Sequence, residues 1–382
     1  MRQNIEPRSR SFQRLFSVLL LAVVAGVAAA EPCRKISTDA ELSSYTQAQG
    51  TLATVARDIC YAEGTEWNEK SPAGAYDVTL DQRFDFYRPA SLPASQRLPL
   101  IIWAHPNGMT ENLPQQGELY PKLVTPALAL GFAFMSVEFR HPVASQEYGK
   151  SPNLDIPNTD IARAVQWARH RSGMLGIDGS NIFIVGQSRG TLGLMNALSQ
   201  NLADEQSPIP YQTKSSRVRA VYAVQAQTTY EKDEVKRTFI HPDNWDAFDK
   251  LYSDFHQPGS AIKEITTDDP SVAMRYERAP TDQSHQAVIP LHLPGLNGSC
   301  AYPEGCFDFH HPNFGLKLHL AFKALYSGTP PASKFDMAYS VPTEYLYVEQ
   351  ATNRPYACFF ASNLTPEGRA NLSAKALEAC GL

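Results

Sequence analysis

The sequence predicts an α/β protein built on a doubly wound, mostly parallel sheet. Four short apolar runs, rich in β-branched or aromatic residues, are typical of buried parallel strands. They lie at 98–104, 132–138, 181–185 and 218–224. Helical patterns lie among them, at 120–130, 160–171 and 191–202. Strands that alternate with helices of this length indicate βαβ units and therefore this class of fold.

The flanking elements follow from local patterns. Residues 76–88 alternate in polarity and carry aromatic side chains, so we expect edge strands that lead into the core. The helix at 160–171 places an apolar face on Ile161, Ala164, Val165 and Ala168. Asn158 or Thr159 is the expected cap of that helix.

The chain divides into four expected parts. Residues 1–30 form a signal peptide, and residues 31–327 form the catalytic domain. Within that domain, about 231–269 is rich in Asp and aromatic residues and breaks the strand–helix rhythm, so it is either a cap inserted near the site or a plain surface excursion. Residues 328–382 form a C-terminal extension packed on the same domain, with strands at 335–341 and 344–349 and a terminal helix.

The N-terminus has the pattern of an export signal. Four arginines precede a short apolar run at 15–27, and three alanines end at residue 30: the arginines are Arg2, Arg8, Arg10 and Arg14. This pattern predicts cleavage before Glu31 and a secreted or periplasmic protein. A single membrane anchor is the alternative, but the run is shorter than the ~20 residues that a span needs. We expect no stable membrane insertion after cleavage, and the residues before Cys33 do not favour lipid attachment.

All six cysteines follow the signal, which favours disulfides. Proximity in sequence favours the pairs Cys33–Cys60, Cys300–Cys306 and Cys358–Cys380, although sequence alone leaves fifteen connectivities open. A zinc site at Cys300 and Cys306, with His310 and His311 nearby, is the alternative for the middle pair. The oxidising compartment favours the disulfide, and we expect no metal.

Composition excludes one class of partner. Charged residues make up 19% of the chain, and the formal net charge is -5 without a long run of one sign. A nucleic-acid-binding protein would carry a basic stripe. We therefore expect no nucleic-acid partner, and the charge says nothing about which small molecule binds.

The chemical motif lies in NIFIVGQSRGTLGLMNAL, which is a strand, a Gly-x-Ser-x-Gly turn and a helix in that order. A serine hydroxyl is a weak nucleophile and must project from a sharp turn where a base can reach it. Gly186 and Gly190 let the backbones approach closely around Ser188. The backbone N–H of Arg189, at the helix start, is positioned to stabilise developing negative charge. Alternatively, the motif is a structural turn that happens to carry Ser.

A second loop supports this interpretation. His105-Pro106-Asn107-Gly108 follows directly after the predicted strand at 98–104. A loop in this position supplies the second oxyanion N–H in many serine hydrolases. Asn107 and Gly108 are the candidate donors, and His105 is expected to be structural rather than the catalytic base.

The stretch from about 76 to 202 resembles the exported esterase and lipase branch of the α/β-hydrolases, in particular the group that includes feruloyl and acetyl-xylan esterases. RFDFYRP, GFAFMSVEFRHP and the run from DIARAVQWARHR to GQSRG resemble three segments of that group, in order. The resemblance implies an α/β-hydrolase fold and a carbohydrate-ester or other small ester substrate. Two departures stand out. The His-Gly-Gly of the group is His-Pro-Asn here, and the bulky Arg189 follows the nucleophile, where it would form a salt bridge or bind an acidic substrate group.

The rest of the triad is harder to place. The acid and then the histidine follow the serine along the chain in this fold, and in the group the histidine lies near the C-terminus. No histidine follows His319 here, so either the later residues are an appendage or the triad is incomplete. The loop FDFHHPNFG offers His310 first and His311 second as base, with His285 and His292 as more remote alternatives. His319 is expected to pack in the core, and His241 and His256 belong to the possible insertion.

The resemblance points to Asp282 as the acid, because the acid normally follows the seventh core strand, and Asp308 is the rival. Asp268 and Asp269 precede that strand and would lie at the wrong end of the sheet. The leading hypothesis is thus a serine carboxylesterase that acts through an acyl-enzyme at Ser188 without metal or organic cofactor. The alternatives are a non-catalytic binding protein with the same fold and a peptidase on that fold.

Overall fold

The computed structural model describes residues 33–61, 82–106, 119–139, 155–191, 201–240, 242–251, 265–280, 311–349 and 352–382. A nine-stranded sheet with the order β1-β2-β3-β5-β4-β6-β7-β8-β9 organises them. Its strands are β1 Thr46–Gln49, β2 Ala53–Cys60, β3 Arg83–Pro89, β4 Leu98–Ala104, β5 Ala133–Val137, β6 Ile177–Gln187, β7 Ala220–Val224, β8 Ser271–Arg275 and β9 Phe335–Ala338. A two-stranded ribbon pairs β10 Val348–Glu349 with β11 Arg354–Pro355.

The sheet is antiparallel at one side and parallel over the rest. Strands β1, β2, β3 and β5 pair antiparallel, whereas β5, β4, β6, β7, β8 and β9 pair parallel. The central strands β4, β5 and β7 are buried along their whole length, as expected of strands covered on both faces. The predicted mostly parallel, doubly wound sheet is confirmed.

The helices within the described residues cover both faces. They are α1 Asp39–Tyr45, α2 Thr125–Ala129, α3 Asp155–His170, α4 Ser172–Leu175, α5 Lys232–Phe239, α6 Trp245–Leu251, α7 Asn313–Leu325, α8 Ala357–Ser362, α9 Pro366–Ala370 and α10 Ala374–Cys380. Helices α3 and α7 pack on one face through side chains such as Val165 and Leu318. Helices α2 and α8 pack on the other, where Phe360 stacks on Phe183 of β6. None of the described helices is long and apolar enough to cross a membrane.

Several predicted element bounds need correction. Helix α3 begins at Asp155, so Asn158 and Thr159 lie inside the helix and are not its cap. Pro157 is the missed signal, because proline is tolerated in the first turn of a helix and little beyond it. The helix predicted at 191–202 is already helical at 189 and has ended by 201. The strand predicted at 344–349 is reduced to Val348–Glu349, since Thr343–Tyr345 forms a 3₁₀ turn.

The helix predicted at 120–130 forms in two pieces. Its first turn, Tyr120–Val124, is a π-helix, and α2 continues it. The N–H of Thr125 donates to the carbonyl of Tyr120, five residues back. Pro126 has no N–H to give to an ordinary i−4 bond, which accounts for the irregular hydrogen bonding of this helix.

The C-terminal extension is built into the sheet, because β9 pairs in parallel with β8. The extension therefore forms part of the core sheet. The disulfides Cys33–Cys60 and Cys358–Cys380 form as predicted. Cys300 and Cys306 lie outside the described residues. Part of the predicted insertion, 252–264, also lies outside them; before it, two lysines of α5, Lys232 and Lys236, both pair with Asp249 of α6.

Candidate active site

Ser188 follows directly after β6 and has a left-handed backbone, with φ at 54°. A non-glycine residue in this region is sterically costly and often marks a functional turn. The Ser188 N–H donates to the carbonyl of Val224 at 2.9 Å, so the end of β7 holds the turn in place. Helical backbone begins at the next residue. The turn therefore has the strained strand-to-helix geometry that the motif predicts.

Gly190 explains the second glycine of the motif. A Cβ at this position would lie 2.4 Å from the carbonyl oxygen of Ala104, the last residue of β4. Only glycine permits so close an approach without backbone movement. The nucleophile turn is thereby pressed against the strand that leads into His105 and the predicted oxyanion loop.

Gln227, which sequence reasoning missed, touches the nucleophile. It lies three residues beyond β7, and its Nε2 donates to Ser188 Oγ at 3.4 Å. The hydroxyl of Tyr230 donates to Gln227 Oε1 at 2.7 Å. The side chains of all three residues are buried. A search for Ser, His and Asp motifs does not consider a glutamine amide. The only sequence signal for Gln227 is its position just after the end of a strand that lies next to β6.

His105 is buried and has both ring nitrogens engaged. Its Nε2 lies 3.0 Å from Glu138 Oε1, and its Nδ1 lies 2.9 Å from the carbonyl oxygen of Pro106. The ring also stacks on Phe139, with centroids 4.4 Å apart. A base must keep one nitrogen available to accept the serine proton. The two oxygen partners therefore make His105 a structural residue at the ends of β4 and β5.

His311 is buried just before α7, and the backbone N–H of Asn313 donates to its Nδ1 at 3.1 Å. A backbone N–H only donates, so Nδ1 acts as an acceptor and the neutral ring carries its proton on Nε2. A ring in that tautomer has no basic Nε2 for the serine proton. The contact also satisfies one of the unpaired N–H groups at the helix start. His310, the first candidate base, lies outside the described residues.

The loop after β7 connects the nucleophile to this helix. Thr228 Oγ1 donates to the carbonyl of Phe314 at 3.1 Å, and the Tyr276 hydroxyl donates to the carbonyl of Ala226 at 3.0 Å. A Cβ at Gly315 would lie 2.3 Å from the Tyr276 ring. The first turn of α7 thus packs on the segment that carries Gln227, which brings the residues around His311 to the same end of the sheet as Ser188.

Two comparisons with known proteins found a similar family and similar folds. Residues 84–247, which include Ser188, match the BD-FAE family model. A truncated carbohydrate esterase from gut microbiota has 16% sequence identity and a TM-score of 0.50, over 88% of this chain and 100% of that chain. A bifunctional GH43-CE protein of Bacteroides eggerthii has 17% identity and a TM-score of 0.52, over 81% of this chain and 38% of that chain. No curated protein sequence matches.

The chain has the α/β-hydrolase fold, and its residues 84–247 are similar to the BD-FAE family. The fold resemblance rests on the sheet and its helices, since the sequence identities to the solved structures are low.

The other predicted oxyanion residues are only partly described. Asn107 and Gly108 lie outside the described residues. Arg189 is the first helical residue after the nucleophile, and its side chain is 5% exposed. The guanidinium is therefore enclosed by protein. The sequence had suggested instead that it lies at the open mouth of the site.

The candidate carboxylates can be compared by the end of the sheet at which they lie. Asp269 is buried before β8, where it accepts hydrogen bonds from Thr266, so it lies at the end opposite Ser188 as expected. Asp282 and Asp308 lie outside the described residues, as do His241, His256, His285 and His292. His319 packs edge-to-face on Phe335, at 5.3 Å between centroids, and burial together with Lys323 lowers the pKa of its ring.

Glu277 is a carboxylate that sequence reasoning missed, two residues beyond β8. It accepts from Gln225 Nε2 at 2.7 Å and from Thr343 Oγ1 at 2.6 Å. The same network continues through Gln187, which contacts Gln225 at 3.5 Å and accepts from the Tyr347 hydroxyl at 2.8 Å. A line of hydrogen bonds therefore crosses the carboxyl ends of β6, β7 and β8 beside the nucleophile.

Proposed function

We propose that this α/β-hydrolase is an exported serine esterase that cleaves carboxylic esters through an acyl-enzyme at Ser188. The observation that carries the proposal is the left-handed Ser188 at the end of β6, tied to β7 and followed at once by a helix. The resemblance of this chain to a protein named carbohydrate esterase supports a carbohydrate ester as substrate.

His310 is the proposed base and Asp282 the proposed acid. His310 takes the proton of Ser188 Oγ as the Oγ–C bond forms, and it returns that proton to the departing alcohol as the C–O bond breaks. Water then repeats the sequence on the acyl-enzyme. The N–H of Arg189, together with that of Asn107 or Gly108, holds the oxyanion. None of these steps needs a metal or an organic cofactor.

The first experiment is hydrolysis of p-nitrophenyl acetate by the mature protein and by Ser188→Ala. We expect the variant to lose about 10⁴-fold or more in kcat, because removal of any triad member has an effect of this order. Labelling by a fluorophosphonate probe should disappear with it. Equal rates for both proteins would remove Ser188 from the mechanism, and failure of both to react would favour a binding protein.

The neighbouring histidines supply a matched pair. His310→Ala should reduce kcat about as much as Ser188→Ala, whereas His311→Ala should mainly lower the melting temperature through loss of the contact to Asn313. The reverse result would make His311 the base. A larger loss in Glu277→Gln than in Asp282→Asn would likewise move the acid to Glu277.

Export is supported by the two disulfides among the described residues, because disulfides persist in oxidising compartments. N-terminal sequencing of the protein recovered from the periplasm or medium should begin at Glu31. Recovery of the full chain in the membrane fraction would instead establish an uncleaved anchor.

A further inference from the structure

Gln227 is tied to the nucleophile by both its backbone and its side chain. Its N–H donates to Thr191 Oγ1 at 2.8 Å, and the Thr191 hydroxyl in turn donates to the carbonyl of Ser188. Its side-chain Nε2 reaches Ser188 Oγ at 3.4 Å. The amide therefore cannot shift without disturbing the turn that presents the hydroxyl.

In the structure the two ends of the Gln227 amide have different partners. The hydroxyl of Tyr230 donates to Oε1 at 2.7 Å, and the NH₂ group lies on the other side, 3.4 Å from Ser188 Oγ. An amide oxygen only accepts and an amide nitrogen only donates, so in this orientation Gln227 is a donor to Ser188. Tyr230 is fully buried, which keeps water from competing for that oxygen.

We propose that Gln227 is a catalytic hydrogen-bond donor to Ser188 Oγ and that Tyr230 is the positioning residue that orients it. This inference rests on the proposed function of Ser188 as nucleophile.

The donor acts at two stages. In the resting enzyme, the amide occupies one lone pair of Ser188 Oγ, so the Oγ–H is left to point to the base. As the proton passes from Oγ to the base, negative charge builds up on Oγ until the Oγ–C bond is complete. An N–H already placed beside Oγ stabilises that charge without rearrangement. Gln227 forms no covalent bond and exchanges no proton.

The first test replaces Gln227 by Leu, which has a similar size but no donor. We expect kcat for p-nitrophenyl acetate to fall about 10- to 100-fold, the effect of losing one hydrogen bond to a developing charge, with KM changed by less than about 2-fold. The second-order rate of fluorophosphonate labelling should fall in parallel. A wild-type kcat and labelling rate in folded Gln227→Leu would overturn the proposal.

The second test is a double-mutant cycle with Tyr230→Phe. This change should lower kcat several-fold alone and add nothing in the Gln227→Leu background, because Tyr230 acts through the amide. Tyr356→Phe is the matched control, since it also removes a buried tyrosine hydroxyl, one that donates to the carbonyl of Leu123 at 2.7 Å. Additive losses for Tyr230→Phe, or an equal loss in Tyr356→Phe, would contradict the positioning role.

The third test is Gln227→Glu, with rates normalised to the folded fraction measured by circular dichroism. The introduced side chain donates when protonated and only accepts when ionised. The ratio of variant to wild-type kcat should therefore rise as the pH falls through the range of a carboxyl group. A ratio that does not change with pH would overturn the proposal. Undiminished activity in Ser188→Ala would instead refute the proposed function itself, whatever the Gln227 variants do.

Discussion

Asp85 gives the fold a pH dependence that is measurable on its own. It lies in the middle of β3, is fully buried, and pairs across the sheet with Ser136 of β5. The Asp58 N–H donates to one carboxylate oxygen at 3.1 Å, and Arg57 lies 3.3 Å from the other. Burial outweighs these contacts and raises the pKa of Asp85 from 3.8 to about 6.

The sign and size follow from proton linkage. Between pH 3.8 and about 6 the folded protein binds the Asp85 proton and the unfolded protein releases it, so the free energy of unfolding falls as the pH rises. A shift of about 2 pKa units corresponds to about 3 kcal/mol. The stabilisation is fully present below pH 3.8 and is lost above pH 6.

Urea unfolding at pH 4 and pH 7 tests this reasoning. Wild type should gain about 2.4 kcal/mol more than Asp85→Asn on acidification from pH 7 to pH 4, because only wild type carries the buried acid and part of the full effect appears only below pH 4. Asp58→Asn removes a half-exposed carboxylate from the preceding strand and should keep most of the wild-type gain. If Asp85→Asn and wild type respond equally to pH, the carboxylate is not protonated in the fold and the argument fails.

Two further predictions concern packing and cross-linking. Gly190→Ala should cost about 1–3 kcal/mol of stability and most of the esterase activity, since its methyl group would meet the carbonyl of Ala104. The control is Gly173→Ala, where a Cβ meets nothing nearer than 3.9 Å. Both variants are compared by melting and by p-nitrophenyl acetate hydrolysis, and equal effects would contradict the packing argument. Replacing Cys358 and Cys380 together by Ser should lower the free energy of unfolding in urea by about 3 kcal/mol, because the disulfide links residues with a sequence separation of 22. An unchanged free energy would show that the cross-link does not restrict the unfolded chain.

The parallel half of the sheet was predictable because its signal is local. Each of the runs at 98–104, 132–138, 181–185 and 218–224 contains or overlaps a strand of the sheet. The nucleophile turn was predictable for the same reason, since a strand, a serine between glycines and a helix are consecutive in sequence. Helix starts were less predictable, because both a proline in the first turn and a polar capping residue can indicate where a helix begins.

The surroundings of the nucleophile were not predictable from local patterns. Gln227 and Tyr230 reach Ser188 only because β7 lies next to β6 in the sheet. The hydrogen bond from the Asn313 N–H to His311 likewise depends on how the start of α7 is built. The position of a side-chain amide or of a proton does not appear in the hydrophobic periodicity of a sequence. Sequence reasoning therefore identifies the residue types used in catalysis but not their hydrogen bonds.

The close fit of Gly315 against Tyr276 makes three separate stretches of chain behave as one unit. Because the Tyr276 hydroxyl is bonded to Ala226 and Thr228 is bonded to Phe314, the start of α7 cannot lift away while the loop after β7 stays in place. Local opening of such a unit is cooperative, so its amide protons exchange with solvent together. A movement of the loop after β7, which carries Gln227, therefore has to break these contacts together.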